Sequence, residues 1–173
     1  MKKTFFGILV VNIIMIVCIS SCASKEDKQQ ERQQKIKTYS ESLLDNPMSL
    51  DKNKADTLIL LYDNYIKDFP KDTMRELYLF QMSQVYANMQ DCNSSLQCLD
   101  RIIKEYPNGK KVGAAYFFKG VYLKEICLNT EESVKAFQTY IDKFPNSKQV
   151  ETAKRMLEMD TMQNPVNILK DNE

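Results

Sequence analysis

Three pairs of an aromatic residue followed by proline recur in this chain at intervals of 37 and 38 residues: Phe69-Pro70, Tyr106-Pro107 and Phe144-Pro145. Ahead of each proline, apolar residues stand at i, i+3, i+6, i+7 and i+10. The three sets run from Ile59 to Phe69, from Leu96 to Tyr106 and from Val134 to Phe144. This spacing places one apolar stripe on a helix of about three turns. Proline lacks an N–H and restricts the residue before it, so it ends each helix.

A second set of helical patterns lies between the repeated ones, which predicts helices over 73–90, 111–127 and 147–160 and an earlier helix that ends near Pro47. The run from Thr73 to Glu76 has the spacing of a capping box. The predicted N-caps of the helices that follow are Asn93 or Ser94, Thr130 and Ser147. A helix pair cannot bury its apolar stripe alone, so neighbouring pairs must stack. The sequence therefore predicts an all-α fold, a short α-solenoid of about seven antiparallel helices over residues 36–160.

The first residues have the composition of a secretory signal, which predicts a cleavable signal peptide over residues 1–21. Lys2 and Lys3 precede a nearly continuous apolar run from Phe5 to Ile19. The sequence Ile19-Ser20-Ser21-Cys22 looks like a lipobox, and this resemblance implies cleavage before Cys22 and lipidation of that residue. The alternative is an uncleaved membrane anchor, but the apolar run is shorter than the ~20 residues that a spanning helix needs.

The segments that flank the repeats are polar, and we expect neither to contribute to a core. Residues 22–35 are dominated by Lys, Glu, Gln, Asp and Arg, which predicts a polar tether or the polar start of a helix. Within it, Lys25-Glu26-Asp27 resembles a signal that exports certain lipoproteins to the cell surface, although a solvated tether accounts for the same residues. Residues 161–173 are predicted to form a C-terminal tail, either loose or serving as a short cap for the last helix.

Composition argues against an enzyme and against a nucleic-acid-binding protein. The chain contains no histidine, which removes Ser-His and Cys-His nucleophile pairs and histidine metal ligands. It has no phosphate-binding glycine motif, and neither a metal site nor a cofactor is predicted. Without the signal peptide, 22 basic residues would face 23 acidic ones, so no cationic surface for nucleic acid is expected.

Three cysteines remain in the predicted repeat domain: Cys92, Cys98 and Cys127. The spacing of Cys92 and Cys98 does not fit common zinc sites. Exported proteins can keep disulfides, and stacking of the repeats would bring Cys92 in one inter-helix turn towards Cys127 in the next. The alternative is that all three are small buried apolar side chains.

The repeats resemble the tetratricopeptide repeat (TPR) family, whose 34-residue unit is a helix, a tight turn and a second helix that closes on proline. The stretches from Tyr86 to Pro107 and from Tyr122 to Pro145 look like the second half of that unit. Ser83 and Ser95 stand where the family prefers small residues. Together with Cys22, the endings Glu105-Tyr106-Pro107-Asn108 and Lys143-Phe144-Pro145-Asn146-Ser147 are similar to those of the BamD-like lipoproteins of outer-membrane barrel assembly.

This resemblance implies a membrane-anchored adaptor or scaffold that binds envelope proteins and has no catalytic activity. We expect it to be attached to the outer membrane through lipid on Cys22, on the periplasmic face rather than the cell surface. A second hypothesis is an envelope carrier for lipid or another apolar ligand, because eight Phe, nine Tyr and nine Met could line a pocket between helices. A large apolar cavity would favour the carrier, whereas filled stripes between the helices would count against it.

Overall fold

The structure is a computed structural model that describes residues 25–43 and 51–163. The predicted signal peptide, Cys22 and the end of the tail from residue 164 lie outside the described residues. The chain divides into two compact units, Met1–Asn46 and Pro47–Glu173.

In the first unit, residues 25–43 form one helix, α1. The segment predicted as a polar tether is therefore helical from residue 25 onward. Most of its side chains are exposed and Ile36 is buried, and Lys37 and Glu41 stand one turn apart with Nζ and Oε1 at 4.0 Å.

The second unit consists of six helices in sequence order, each packed against the next. They are α2 (Lys52–Asp68), α3 (Met74–Asn88), α4 (Cys92–Glu105), α5 (Val112–Glu125), α6 (Thr130–Lys143) and α7 (Val150–Gln163). Across residues 25–43 and 51–163 there is no β-strand. The predicted all-α solenoid is confirmed.

The aromatic–proline pairs end α2, α4 and α6 as predicted. In each helix the aromatic residue is the C-cap, and its N–H donates to the carbonyl four residues earlier. The apolar stripes form the core: Tyr62, Tyr65, Leu99, Ile102, Phe137 and Tyr140 are all 2% exposed or less. Each of these helices is therefore fixed by its stripe on one side and by proline at its end.

The helix starts differ from the prediction. Asp91 caps α4 by accepting from Ser94 N–H at 3.0 Å, and Asn129 caps α6 by accepting from Glu132 N–H at 3.1 Å. The predictions of Asn93 or Ser94 and of Thr130 as caps were wrong, because those residues already lie inside the helices. A short acid or amide side chain directly before the helix reaches the N–H three residues on.

The predicted capping box at Thr73 is also wrong. Thr73 makes no side-chain capping bond, and Asp72 accepts from Met74 N–H at 3.0 Å instead. Glu76 turns to the next repeat, where its carboxylate accepts from Lys110 N–H at 3.1 Å and Lys111 N–H at 2.6 Å. Glu76 therefore caps the N-terminus of α5, a helix whose N-cap residue provides no side-chain bond of its own.

The need for this distant cap follows from two local differences between the repeats. Before α3 and before α7, a tyrosine hydroxyl donates to the residue seven positions later, in the pairs Tyr65–Asp72 and Tyr140–Ser147. Asp72 and Ser147 also accept N–H groups near the start of the next helix. The corresponding positions before α5 are Ile102 and Gly109, which have neither hydroxyl nor carboxylate. A Cβ at Gly109 would overlap Glu76 Oε1, so glycine makes room for the carboxylate.

We predict that Glu76→Ala lowers the free energy of unfolding by about 1–3 kcal/mol, because two partly buried N–H groups at the start of α5 lose their acceptor. Urea unfolding followed by circular dichroism measures this. The matched variant Glu132→Ala, in the exposed first turn of α6, should cost well under about 1 kcal/mol. Equal losses in the two variants would show that the cap on α5 contributes nothing specific.

The two glycines of α5 should respond to alanine in opposite directions. A Cβ at Gly113 would meet Phe144 Cε1 at 3.6 Å, an ordinary contact, so Gly113→Ala should stabilise by up to about 1 kcal/mol through helix propensity. A Cβ at Gly120 would lie 2.7 Å from Cε1 of the fully buried Phe137. Gly120→Ala should therefore destabilise by about 1–3 kcal/mol. Thermal unfolding of both variants provides the measurement, and a shift of the same sign in both would contradict the prediction.

Candidate functional site

Charge is distributed unequally between the helices of the second unit. Six of 17 residues in α2, four of 14 in α4 and five of 14 in α6 are charged. In α3, by contrast, no residue from Leu77 to Asn88 is charged, and from Val112 to Leu123 in α5 the only charge is Lys119. The Lys119 ammonium is paired with Asp100 Oδ1 of α4 at 2.6 Å. The other charges of these two helices lie at their ends, at Arg75 and Glu76 of α3 and at Lys124 and Glu125 of α5, so only their central turns are nearly free of charge.

Each of these two helices carries a stripe of residues at i, i+4 and i+7, and the stripe of α5 lies 37 residues after that of α3. No neighbouring helix fully covers either stripe. We call them the α3–α5 face: Leu77, Gln81 and Gln84 of α3 with Ala114, Phe118 and Val121 of α5. Gln84 is exposed and the other five side chains are half-buried. The α3–α5 face therefore presents apolar and amide groups and no ionised side chain.

Aromatic contacts hold the two halves of the α3–α5 face together. The rings of Phe80 and Phe118 meet edge to face with centroids 5.4 Å apart, and Phe117 meets Phe118 in the same way at 5.6 Å. The Lys111 ammonium lies 5.3 Å from the Phe80 ring centroid. Aromatic pairs of this kind contribute about 0.5–1.5 kcal/mol each beyond the area that they bury.

The structure brings two of the sequence-predicted site residues together and leaves the third apart. Cys92, the first residue of α4, and Cys127, just after α5, form a disulfide with their Cα atoms 5.2 Å apart. The bond joins the α3–α4 turn to the α5–α6 turn. Cys98 is a buried free thiol, and burial raises its pKa to about 12. Cys22 lies outside the described residues.

The carrier hypothesis requires an apolar cavity, and the packing between the helices does not favour it. The inward residues of the apolar stripes of α2, α4 and α6 fill the interior, since Tyr62, Tyr65, Leu99, Ile102, Phe137 and Tyr140 are 2% exposed or less, while the stripe residues at their edges are half-buried. An open cavity of about 180 Å³ between α5 and α6 is lined by Tyr116, Lys119, Leu123, Glu132, Lys135, Ala136 and Thr139. Charged and hydroxyl groups make up much of this lining, which does not suit a lipid chain.

Neither a metal centre nor a membrane-spanning helix is found in the part of the chain that the structure describes. Across residues 25–43 and 51–163, no group of three or more Cys, Asp or Glu side chains is placed to hold a metal ion. No helix within the same ranges has the length and apolar content needed to cross a membrane.

The architecture is that of a helical-repeat protein with a disulfide between consecutive repeats. Two segments, residues 78–109 and 128–147, match the family model described as tetratricopeptide repeat. The first begins within α3 and continues past the end of α4, and the second contains α6. These two segments of the chain are thus similar to tetratricopeptide repeats, which typically form non-catalytic scaffolds for protein–protein interaction. A comparison with curated proteins gave no significant match.

Sequence reasoning left the Cys92–Cys127 pair as one of two alternatives and missed the α3–α5 face. The scarcity of charge in the central turns of α3 and α5 could have indicated this face. The sequence alone, however, does not tell which tyrosines and methionines of these helices lie in the core and which lie on the surface. Only the packing shows that Tyr78 and Met82 are buried while Gln81 and Gln84 of the same helix are not.

We predict that Cys98 does not react with iodoacetamide in the native protein at about pH 8. The pKa of about 12 leaves a negligible fraction as thiolate, and the side chain is 4% exposed. Mass spectrometry before and after denaturation in urea gives the measurement. Alkylation of Cys98 at equal rates in both conditions would mean that α4 opens readily in the native state.

Proposed function

We propose that this protein is a lipid-anchored adaptor of the bacterial cell envelope that binds a protein partner through the α3–α5 face. Acyl chains on Cys22 would hold it at the outer membrane, with the repeats on the periplasmic side. The protein would act by positioning its partner at the membrane and raising its effective concentration there, without making or breaking bonds.

The observation that carries this proposal is the uncharged α3–α5 face on a repeat scaffold of the interaction type. A solvated helix normally carries charged residues on its outer side, as α2, α4 and α6 do. Leu77 and Phe118 leave apolar surface that a partner could bury, while the amides of Gln81 and Gln84 can hydrogen-bond to a partner's backbone.

Two independent features support an envelope location. The residues from Ile19 to Cys22 resemble a lipobox, and several acyl chains on one residue give durable anchoring. The Cys92–Cys127 disulfide fits an oxidising compartment outside the cytoplasm, where such bonds persist. The resemblance to BamD-like lipoproteins suggests outer-membrane protein assembly as the process in which the adaptor takes part.

The test uses two exposed glutamines on helices of opposite character. A photocrosslinking amino acid is placed at Gln84 of the α3–α5 face or at Gln97, an exposed residue of the charged helix α4. After irradiation of intact cells, we expect protein adducts from position 84 and not from position 97. Cys22→Ala should reduce the yield, because the unlipidated chain loses its location at the membrane.

We further predict that Gln84→Arg lowers recovery of the same adduct partner at least about tenfold, because an arginine in an uncharged interface leaves a charge to be desolvated. Gln97→Arg is the matched control and should leave recovery unchanged. Adducts at both positions alike would argue against the α3–α5 face as the binding surface. Co-purification of lipid with no protein adduct at either position would favour the carrier.

A further inference from the structure

We propose that the Cys92–Cys127 disulfide is a site of thiol–disulfide exchange, and that its reduction by a dithiol opens the repeat array at one end only. The disulfide joins two inter-helix turns through residues that are 35 positions apart in the sequence. Both cysteines are half-buried, in contrast to the buried Cys98.

The contacts between α3–α4 and α5–α6 are spread over the length of α5. At the N-terminal end of α5, the Glu76 carboxylate holds Lys110 and Lys111. Near the middle, Phe80 packs on Phe118, and Lys119 pairs with Asp100.

The disulfide lies at the other end of α5, roughly 20 Å away at about 1.5 Å per residue. Breaking it leaves the Glu76 cap and the central contacts in place. The two turns can then separate while the N-terminal end of α5 remains fixed.

The two sulfur atoms are not equivalent as leaving groups. Cys92 is the first residue of α4, where the helix dipole favours a thiolate even though the Asp91 carboxylate already accepts from Ser94 N–H. Cys127 follows the C-terminus of α5, and its own N–H bonds to Tyr122 O at 2.9 Å. The negative end of that dipole disfavours a thiolate there. Exchange should therefore proceed by attack on Cys127 Sγ with departure of Cys92.

The exchange conserves atoms and electrons. One thiolate of the dithiol attacks Cys127 Sγ, and the bond to Cys92 Sγ breaks as Cys92 leaves with the electron pair and takes up a proton. The second thiolate of the dithiol then attacks the other sulfur of the same dithiol, which is bonded to Cys127 Sγ in the mixed disulfide. Cys127 is released as a thiol, the dithiol becomes a disulfide and the protein has gained two electrons and two protons. Cys98 takes no part, because its thiol is buried.

The experiment uses the full mature protein purified in detergent under oxidising conditions. It is incubated with dithiothreitol at about pH 7.5 without denaturant, and acid-quenched samples are analysed for thiols. Hydrogen exchange is measured by mass spectrometry before and after reduction. Cys98→Ser serves as the matched control, and the double variant Cys92→Ser with Cys127→Ser represents the permanently open state.

We expect complete reduction in the folded state. Amide protection should then fall at least about tenfold in segments 86–95 and 123–132 and stay unchanged in segment 108–114. Cys98→Ser should behave as wild type, and the double variant should match the reduced protein. In an acid-quenched reaction with the monothiol glutathione, the adduct should be on Cys127.

Several results would overturn the proposal. A disulfide that is absent from the oxidised protein, or that is reduced only in denaturant, excludes the exchange site. Protection that is lost throughout α3–α6, or that does not change, excludes opening at one end. A glutathione adduct on Cys92 rejects the assigned direction of attack.

Discussion

Burial of one apolar stripe per helix against both neighbours is the constraint on which the rest of this structure depends. The residues at i, i+3, i+6, i+7 and i+10 of α2, α4 and α6 cannot be covered within a single helix pair, so the pairs must stack. Proline ends each of these helices at a fixed distance from the stripe. The apolar stripe and the proline together set the register between α3 and α5. This register places the rings of Phe80 and Phe118 with their centroids 5.4 Å apart.

The difference in charge between the helices follows from this stacking. The helices α2, α4 and α6 each bury one stripe and solvate the opposite side with charges, whereas α3 and α5 contact neighbours over most of their circumference. Every residue from Val112 to Lys124 of α5 is buried or half-buried. A helix in that position needs little charge for solubility. The α3–α5 face can therefore remain uncharged without destabilising the fold.

The sequence predicted the repeats, the helix ends at proline and the helical class because these depend on local chemistry at fixed spacing. It did not predict how α5 begins. The local pattern from Thr73 to Glu76 has the form of a capping box, yet Glu76 bonds to Lys110 and Lys111, 34 and 35 residues away. A capping bond between residues of two different repeats leaves no recognisable pattern in the short stretch of sequence around the helix start. Gly109 is the only trace of this cap, and glycine is common in turns whether or not a side chain approaches it.

The middle repeat differs from its neighbours at both ends of α5, and the two differences act together. At its N-terminus, α5 lacks the bond from a tyrosine hydroxyl to a capping residue that precedes α3 and α7, and it depends on the Glu76 carboxylate instead. At the C-terminus it is joined by Cys127 to Cys92. Both contacts link α5 to the preceding pair of helices, α3 and α4, rather than to residues next to α5 in the sequence. The position of α5, and with it half of the α3–α5 face, is thus set by two tethers of different chemistry. Of these, the carboxylate cap persists under any redox condition, while the disulfide holds only where thiols are oxidised.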